Sequence, residues 1–475
     1  MPSHTAVQKI DHRSNLFLKG SRHCVPADPA DTVTARLNTL LASSGPGYTL
    51  RLCPNTRYYT QAPIEFAHHG QEISTLGYPI DDSRATIVVT GNITSHAVAV
   101  KGRCKDCSGI KLLNIQVEGN RYGRPRIMHG GANIEMGGSN SDQIIDHVKS
   151  YNPRGWSCLH ISEGDFACKN VTVQNSEIGP CGIFKDNEWA DGISLSCENS
   201  VVRDNVIKGA TDGGIVVFGA PGSWIYNNSI YVGNETLLGG INMVDIAPYR
   251  GSYRGTVVQN NTIVGAFANQ GNETLQEKGV NQDNAVIKIG IAVGPRCWRG
   301  DRLGTNRSES GTVIGNRLTG AFSYGIAVGS AFNFTVQDNT LFGNTSFIGV
   351  RGPKCTDFNK TPSPAPFIID YNITSHCNVQ PEFQTVSDGD SLICVVPEKG
   401  AYQWPFQTDE RPVAESRVNE ETTRHAIAAL AGAVFVIFGY WSLKRRVSRY
   451  LAARSSRLYY SLKIADDSKL EAERY

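Results

Sequence analysis

Two aspartate–glycine steps carry the clearest chemical signal in the chain. They read Trp189-Ala-Asp191-Gly192-Ile193 and Ala210-Thr-Asp212-Gly213-Gly214-Ile215. Two carboxylates brought to that separation suit acid/base work on a glycosidic bond, one donating a proton and the other activating water. The competing reading is a turn, in which Asp bonds its own backbone and Gly takes a positive φ. Glu135 and His160 form a second candidate pair, since a carboxylate beside an imidazole raises its pKa and makes an acid/base couple. Lys288, Arg296 and Arg299 are the bases or carboxylate clamps that a lyase reaction needs. Trp156, Trp189, Trp224 and Trp298 offer ring faces for stacking on sugars, or cover strand edges.

These residues lie on or beside short apolar strands that recur from 132 to 351. Most open on glycine, as in Gly192-Ile-Ser-Leu195, Gly214-Ile-Val-Val217, Gly240-Ile-Asn-Met243 and Gly325-Ile-Ala-Val328. Successive starts are roughly 20–45 residues apart, the period of a stacked-repeat array. A second phrase, apolar–Asn–apolar, recurs between them, as in Val201-Val-Arg-Asp-Asn-Val-Ile207 and Val257-Val-Gln-Asn-Asn-Thr-Ile263. The pattern predicts an all-β fold, a parallel β-helix, with Asn and Gly in the tight turns. Strand parity then points Leu159, Ile161, Ile193, Leu195, Ile215, Val217, Ile241 and Met243 inward. It points Glu135, His160, Ser194, Asn242, Lys288 and Arg351 outward, with neighbouring coils about 4.8 Å apart. The expected catalytic set is therefore Asp191, Asp212, His160, Glu135 and Lys288. The expected substrate-binding set is Trp156, Trp189, Ser194, Asn242 and Arg296. No resident cofactor or metal is expected; a Ca²⁺ ion enters only under a lyase reading.

Composition narrows the class. The chain has 475 residues, 19% charged, with a net charge of +2, so no basic face for nucleic acid is implied. All twelve cysteines precede residue 400, and their even number favours disulfides. Cys104-Lys-Asp-Cys107 has a metal- or redox-like spacing, but no second such pair follows. Eleven Asn-X-Ser/Thr sequons, from Asn92 to Asn372, favour a secretory-pathway lumen. Residues 1–20 are expected to be disordered and lack a leader-like apolar run. The secretory reading therefore expects a leader upstream of this start or targeting by a later apolar segment.

Residues 21–91 are expected to form an N-terminal cap and the first coils. Val33, Leu37, Leu40 and Leu41 have helical spacing behind Asp31 as N-cap. After this helix come Tyr48-Thr-Leu-Arg-Leu-Cys-Pro-Asn-Thr-Arg-Tyr-Tyr59, then Ala62-Pro-Ile64 and Leu76-Gly77. This order resembles the opening of the pectin-lyase-like right-handed β-helix superfamily, whose corresponding strand ends in Pro-Gly-Thr-Tyr. Ile110-Lys-Leu-Leu-Asn-Ile-Gln-Val-Glu-Gly-Asn-Arg121 also resembles that superfamily's early coils. The resemblance covers about 21–351 and implies a single-stranded right-handed parallel β-helix with a groove along one outer sheet. Its members include polysaccharide lyases, glycoside hydrolases, epimerases and non-enzymes. The Asp-Gly steps are similar to those of polygalacturonases, Asp191 matching the first aspartate of that motif and Asp212 the first of the pair one coil later. Gly213 stands at the second of that pair. Leu238-Gly-Gly-Ile241 lacks the family's His, and Val286-Ile-Lys-Ile289 replaces its Arg-Ile-Lys.

The β-helix is expected over 92–351, a disulfide-tied C-terminal cap over 352–404 and a polar stalk over 405–425. Residues 426–443 then run eighteen positions without a charge, about 27 Å as a helix, enough for a bilayer core. Tyr440, Trp441 and the basic run from Lys444 put the 444–475 tail in the cytosol and the β-helix outside. The sequence thus predicts a single-pass plasma-membrane or cell-surface protein, with an endomembrane location as the alternative. It would bind, and cleave or modify, extracellular polysaccharide; the alternative is a non-catalytic β-helix in wall or capsule organisation or adhesion.

Overall fold

The computed structural model describes residues 23–121, 131–183, 188–266, 286–347 and 362–394. Each coil lays one strand in each of three parallel sheets. Among the described residues the sheets hold 11, 10 and 12 strands, in sequence order along the stack. The parallel stacking is that of the β-helix the sequence predicts.

Every coil sits in register on the one before. In the first sheet the inward column runs Val173, Val202, Ile225, Val258, Val313. In the second it runs Ile178, Ile207, Ile230, Ile263, Leu318. In the third, Leu159, Ile193, Ile215, Ile241 and Ile291 stack the same way. All eight side chains predicted to point inward are buried in this one continuous core. A coil alone leaves its apolar column open at both ends, so burial comes from the neighbours.

The recurring asparagine has a definite task. At the turn from first to second sheet, Asp204, Asn227 and Asn260 take φ of 55°, 54° and 53°. Asn and Asp tolerate that left-handed conformation better than most side chains. The next residue turns inward and is buried: Asn205, Asn228, Asn261, Asn316, Asn339. Each Nδ2 donates to the following Oδ1 at 2.9 Å from Asn205 through to Asn339. Backbone N–H groups of Asn228, Asn261 and Asn316 donate to those same oxygens at 3.0 Å. Gln380 closes this ladder beyond Asn339.

Strand-opening glycines are explained by the third sheet's corner. A Cβ on Gly192 would lie 2.5 Å from the Gly214 carbonyl oxygen and 2.7 Å from Ile207 Cγ2. The corner brings successive coils too close for a side chain. Gly214 meets the Gly240 carbonyl in the same way, at 2.6 Å.

At the N-terminal end the helix Val33–Ser44 buries Val33, Leu37 and Leu41 in the main core. Its N-cap is Thr32 rather than Asp31, and Thr32 Oγ1 donates to the Pro29 carbonyl. The parallel ladder continues past residue 351: Ala365–Asp370 pairs with Ala321–Gly329, and Gln384–Thr385 follows it. Among the described residues four disulfides are formed, Cys24–Cys53, Cys104–Cys107, Cys158–Cys181 and Cys168–Cys197. The Cys104/Cys107 spacing therefore belongs to a disulfide. Cys297 and Cys377 are free thiols, so Cys377 does not tie a C-terminal cap. Among the described residues no helix is long and apolar enough to cross a membrane. The 1–20 start, the stalk, the 426–443 segment and the basic tail lie outside the described residues.

Asn261→Leu should unfold at lower denaturant than the parent by about 1–3 kcal/mol, because it strips partners from buried N–H groups on Asn228. Equilibrium denaturation would show it; an unchanged midpoint would mean that the ladder contributes nothing net.

Candidate functional site

The outer face of the third sheet collects most of the residues singled out from the sequence. Asp191 begins the strand Asp191–Leu195 and, through the Ile193–Ile215 pairing, lies level with Gly213 on the next coil. Its Oδ1 accepts the Gly213 N–H at 3.1 Å, and its Oδ2 shares a hydrogen bond with Ser194 Oγ at 2.8 Å. Ser194 Oγ is also 3.0 Å from Ser157 Oγ. Asp191 is only 6% exposed. Burial first, and then the neighbouring Asp212 carboxylate with a smaller push from Asp245, raise Asp191 well above the usual carboxylate range; Ser194 and Gly213 oppose this.

Asp212 stands one residue ahead of that level. Its carbonyl accepts the Gly239 N–H at 2.9 Å. Asp245, which the sequence reading missed, follows the strand Leu237–Met243 and pairs with Arg299 Nη2 at 2.7 Å. Burial raises its pKa, against the opposing pull of Arg299. Asp191, Ser194, Asp212 and Asp245 thus form one carboxyl-rich group.

Asn242 lies on the next strand and is 1% exposed, its Oδ1 without a hydrogen-bond partner. Its amide rests on a floor of two glycines. A Cβ on Gly213 would be 2.8 Å from Asn242 Nδ2, and a Cβ on Gly239 would be 1.9 Å from Asn242 Oδ1. The same Gly239 position is 2.8 Å from Trp298 Cζ3, so the indole stands beside the amide. Trp298 belongs to the short helix Pro295–Arg299 and packs on a second, smaller apolar cluster with Ile289 and Tyr324.

Several expectations need correction. Glu135 and His160 are in register on adjacent coils, but they do not couple. Glu135 pairs with Arg103 at 3.0 Å, and His160 Nδ1 has no hydrogen-bond partner. Burial first, and then the Arg103 charge, hold His160 down at about 4, the reverse of the predicted rise. Lys288 is not an exposed clamp: it is fully buried, its Nζ has no hydrogen-bond partner, and burial holds its pKa well below the usual lysine range. Arg296 is engaged away from the carboxyls, its Nε donating to Asp390 Oδ1 at 2.8 Å. Ser194 and Asn242, expected to face solvent, are 0% and 1% exposed.

The tryptophans divide. Trp156 meets His160 edge-on at 4.7 Å, and its carbonyl accepts the Asp191 N–H. Trp189 sits in a small antiparallel hairpin opposite Gly182, and Arg121 pins the neighbouring Glu188. Trp224 is half-exposed on the first sheet, away from this face. Arg351 lies outside the described residues. Among the described residues no group of three or more His, Cys, Asp or Glu is placed to hold a metal ion. The signal that would have found Asp245 is a carboxylate just past the next coil's strand, on a loop to which the period-2 pattern does not extend.

No family model matches the chain, and no curated protein matches it. Among solved structures it is similar to an alginate lyase from Paenibacillus sp. str. FPU-7, at 15% identity over 66% of this chain and 95% of that one, with a TM-score of 0.44. It is also similar to a DFA-IIIase from Arthrobacter chlorophenolicus A6, at 12% identity over 78% and 94%, TM-score 0.47. A pectate lyase matches at 13% identity over 65% and 71%, TM-score 0.37.

Two pH-dependent outcomes follow. Asp191 binds its proton more tightly folded than unfolded, so its contribution to stability is lost as pH rises above the unfolded value of about 4. Asp191→Asn should therefore melt above the parent at pH 7 and level with it near pH 3. Lys288 binds its proton less tightly folded, so its penalty grows as pH falls below about 10.4. Lys288→Met should raise the melting temperature at pH 7 and lose that advantage near pH 10.4. Thermal melts across pH check both, and a lower midpoint for Lys288→Met at pH 7 would show that the amine contributes to the fold.

Proposed function

We propose that this chain is a carbohydrate-active β-helix protein that cleaves or modifies an extracellular polysaccharide at the outer face of its third sheet. The observation that carries this reading is the Asp191 carboxyl. It is buried, and burial with the neighbouring Asp212 and Asp245 carboxylates raises its pKa well above the usual carboxylate range. An environment that pushes one carboxyl up beside another is how acid and base roles are divided at neutral pH. In this reading Asp191 gives its proton to the leaving glycosidic oxygen. Asp212 takes a proton from water as the water oxygen bonds to the anomeric carbon, and the products are two sugar chains, one with a new reducing end. Asp245 holds Arg299 at the rim.

A second reading is binding without cleavage, in wall or capsule organisation or adhesion. The observation favouring it is that both Asp191 oxygens already hold protein hydrogen bonds, one to Ser194 and one to Gly213. Polysaccharide is the partner in both readings.

The four disulfides belong to an oxidising compartment, outside the cell or in the secretory pathway. Of the nine sequon asparagines among the described residues, eight are exposed and Asn344 is half-buried, which supports glycosylation there. We take the 426–443 segment as a single membrane anchor that keeps the β-helix outside and the tail in the cytosol.

Incubation with a panel of neutral and uronic polysaccharides tests the activity. New reducing ends mark a hydrolase, unsaturated ends a lyase, and binding without either product the second reading. Asp191→Asn and Asp212→Asn should each lower kcat about 10²–10⁴-fold with little change in KM. Full activity in both variants would remove the carboxylates from the mechanism.

A further inference from the structure

We infer that the outer face of the third sheet is a slot closed at one end, so that the protein acts on the ends of polysaccharide chains and not on bonds within them. This rests on the reading of that face as a polysaccharide site that cleaves, and names the part of the polymer it takes.

The first ground is how one outward row of the sheet changes along the stack. Its members lie in register, one per coil. Glu65 and Lys101 come first, and both are exposed. Glu135 and His160 follow, half-buried. Ser194, Val216 and Asn242 come next and are buried. Past Asn242 the row turns apolar, with Ala292, Ala327 and Ile368. The row that carries Asp191 changes on the same coil, where Gly213 and Gly239 give way to Ile289 and Tyr324. Polar, accessible surface therefore leads in from the N-terminal coils and stops at the coil of Ile289.

The second ground is what lies on the apolar stretch. Cys297 of the helix Pro295–Arg299 and Leu392 of the turn Leu392–Cys394 are buried in one cluster with Ile289, Ala292, Tyr324, Ala327 and Ile368. Lifting this cover would return those side chains to water, which the hydrophobic effect opposes. Trp298, from the same helix, stands over Gly239: its Cζ3 is 2.8 Å from where a Cβ on Gly239 would be. Asp212 adjoins Gly213, one coil before Gly239. From Asp212 to the coil under Trp298 is thus one coil step, about 4.8 Å, the length of about one sugar ring. A terminal ring or short terminal unit fits between the carboxyls and the indole. A chain running along the row past that point meets the Trp298 helix.

The full-length protein is incubated with inulin, laminarin, xylan, polygalacturonate and polymannuronate. The first products are sized by chromatography while the viscosity of each solution is followed. On a polymer that it cuts, the early products should be mono- or disaccharide, and viscosity should hardly fall as new ends accumulate. Trp298→Ala opens the closed end, and should raise the share of trisaccharide and longer early products about tenfold. Trp298→Leu keeps an apolar side chain on the cluster and should lengthen the products less; thermal melts show whether each variant folds. A ladder of product lengths with a rapid loss of viscosity in the parent overturns this inference and leaves the cleaving site standing. Unchanged product lengths in the folded Trp298 variants overturn it as well, because the indole then does not set the stop. Absence of cleavage in all five polymers overturns the cleaving reading and the inference with it.

Discussion

In-register stacking is the constraint on which the rest of this structure depends. A side-chain period of two means that a slip of one residue would turn every core aliphatic out to solvent. The asparagine ladder from Asn205 to Asn339 forbids that slip at the turn, because each amide fits only the turn directly above and below it. Aliphatic columns drive burial, but they are interchangeable along the stack. The hydrogen-bonded amides are directional and say which residue sits on which. The Gly192–Gly214–Gly240 corner then fixes how closely the coils approach.

The carboxyl cluster is a consequence of that geometry. Because coils repeat at a fixed spacing, residues far apart in sequence are delivered to one patch: Asp191, Gly213 and Gly239 from three successive coils, with Asp212 one position ahead. On the same sheet Ser194, Asn242 and Lys288 are removed from solvent. A buried carboxyl held protonated and a buried amine without a partner are both unfavourable for folding. The stacked core is large enough to carry them. Such concentrated local frustration on an otherwise regular solenoid marks this face out from the first and second sheets, whose outer residues are mostly half-exposed.

The parts of this structure legible in the sequence are those governed by a short period. Glycine-led strands, the Asn phrase and the inward set from Leu159 to Met243 follow from alternation and turn chemistry alone. What escaped has a different origin. Parity says which way a side chain points but not how deeply it is covered, so it places Ser194, Asn242 and Lys288 in solvent although they are buried. Parity sets Glu135 and His160 level across one coil step, as they are, yet Arg103 lies on the connection after Val100–Lys101, where no periodicity exists, and it captures the carboxylate. Asp245 likewise follows the strand Leu237–Met243, on a segment outside the repeat. The ladder was visible as a word in the sequence, but its role in locking neighbours was not.

The bridges described above have a temporal meaning. Their partners are 29, 3, 23 and 29 residues apart, no more than about one circuit of the chain. Each can therefore close as soon as the next circuit leaves the ribosome, before most of the polypeptide exists. The helix Val33–Ser44 and the Cys24–Cys53 link would be finished first, giving later segments a completed edge on which to condense. Growth from a sealed start spares such a chain the long search that distant pairing imposes on other sheet proteins. It also means that an error in an early circuit is inherited by every one laid down after it.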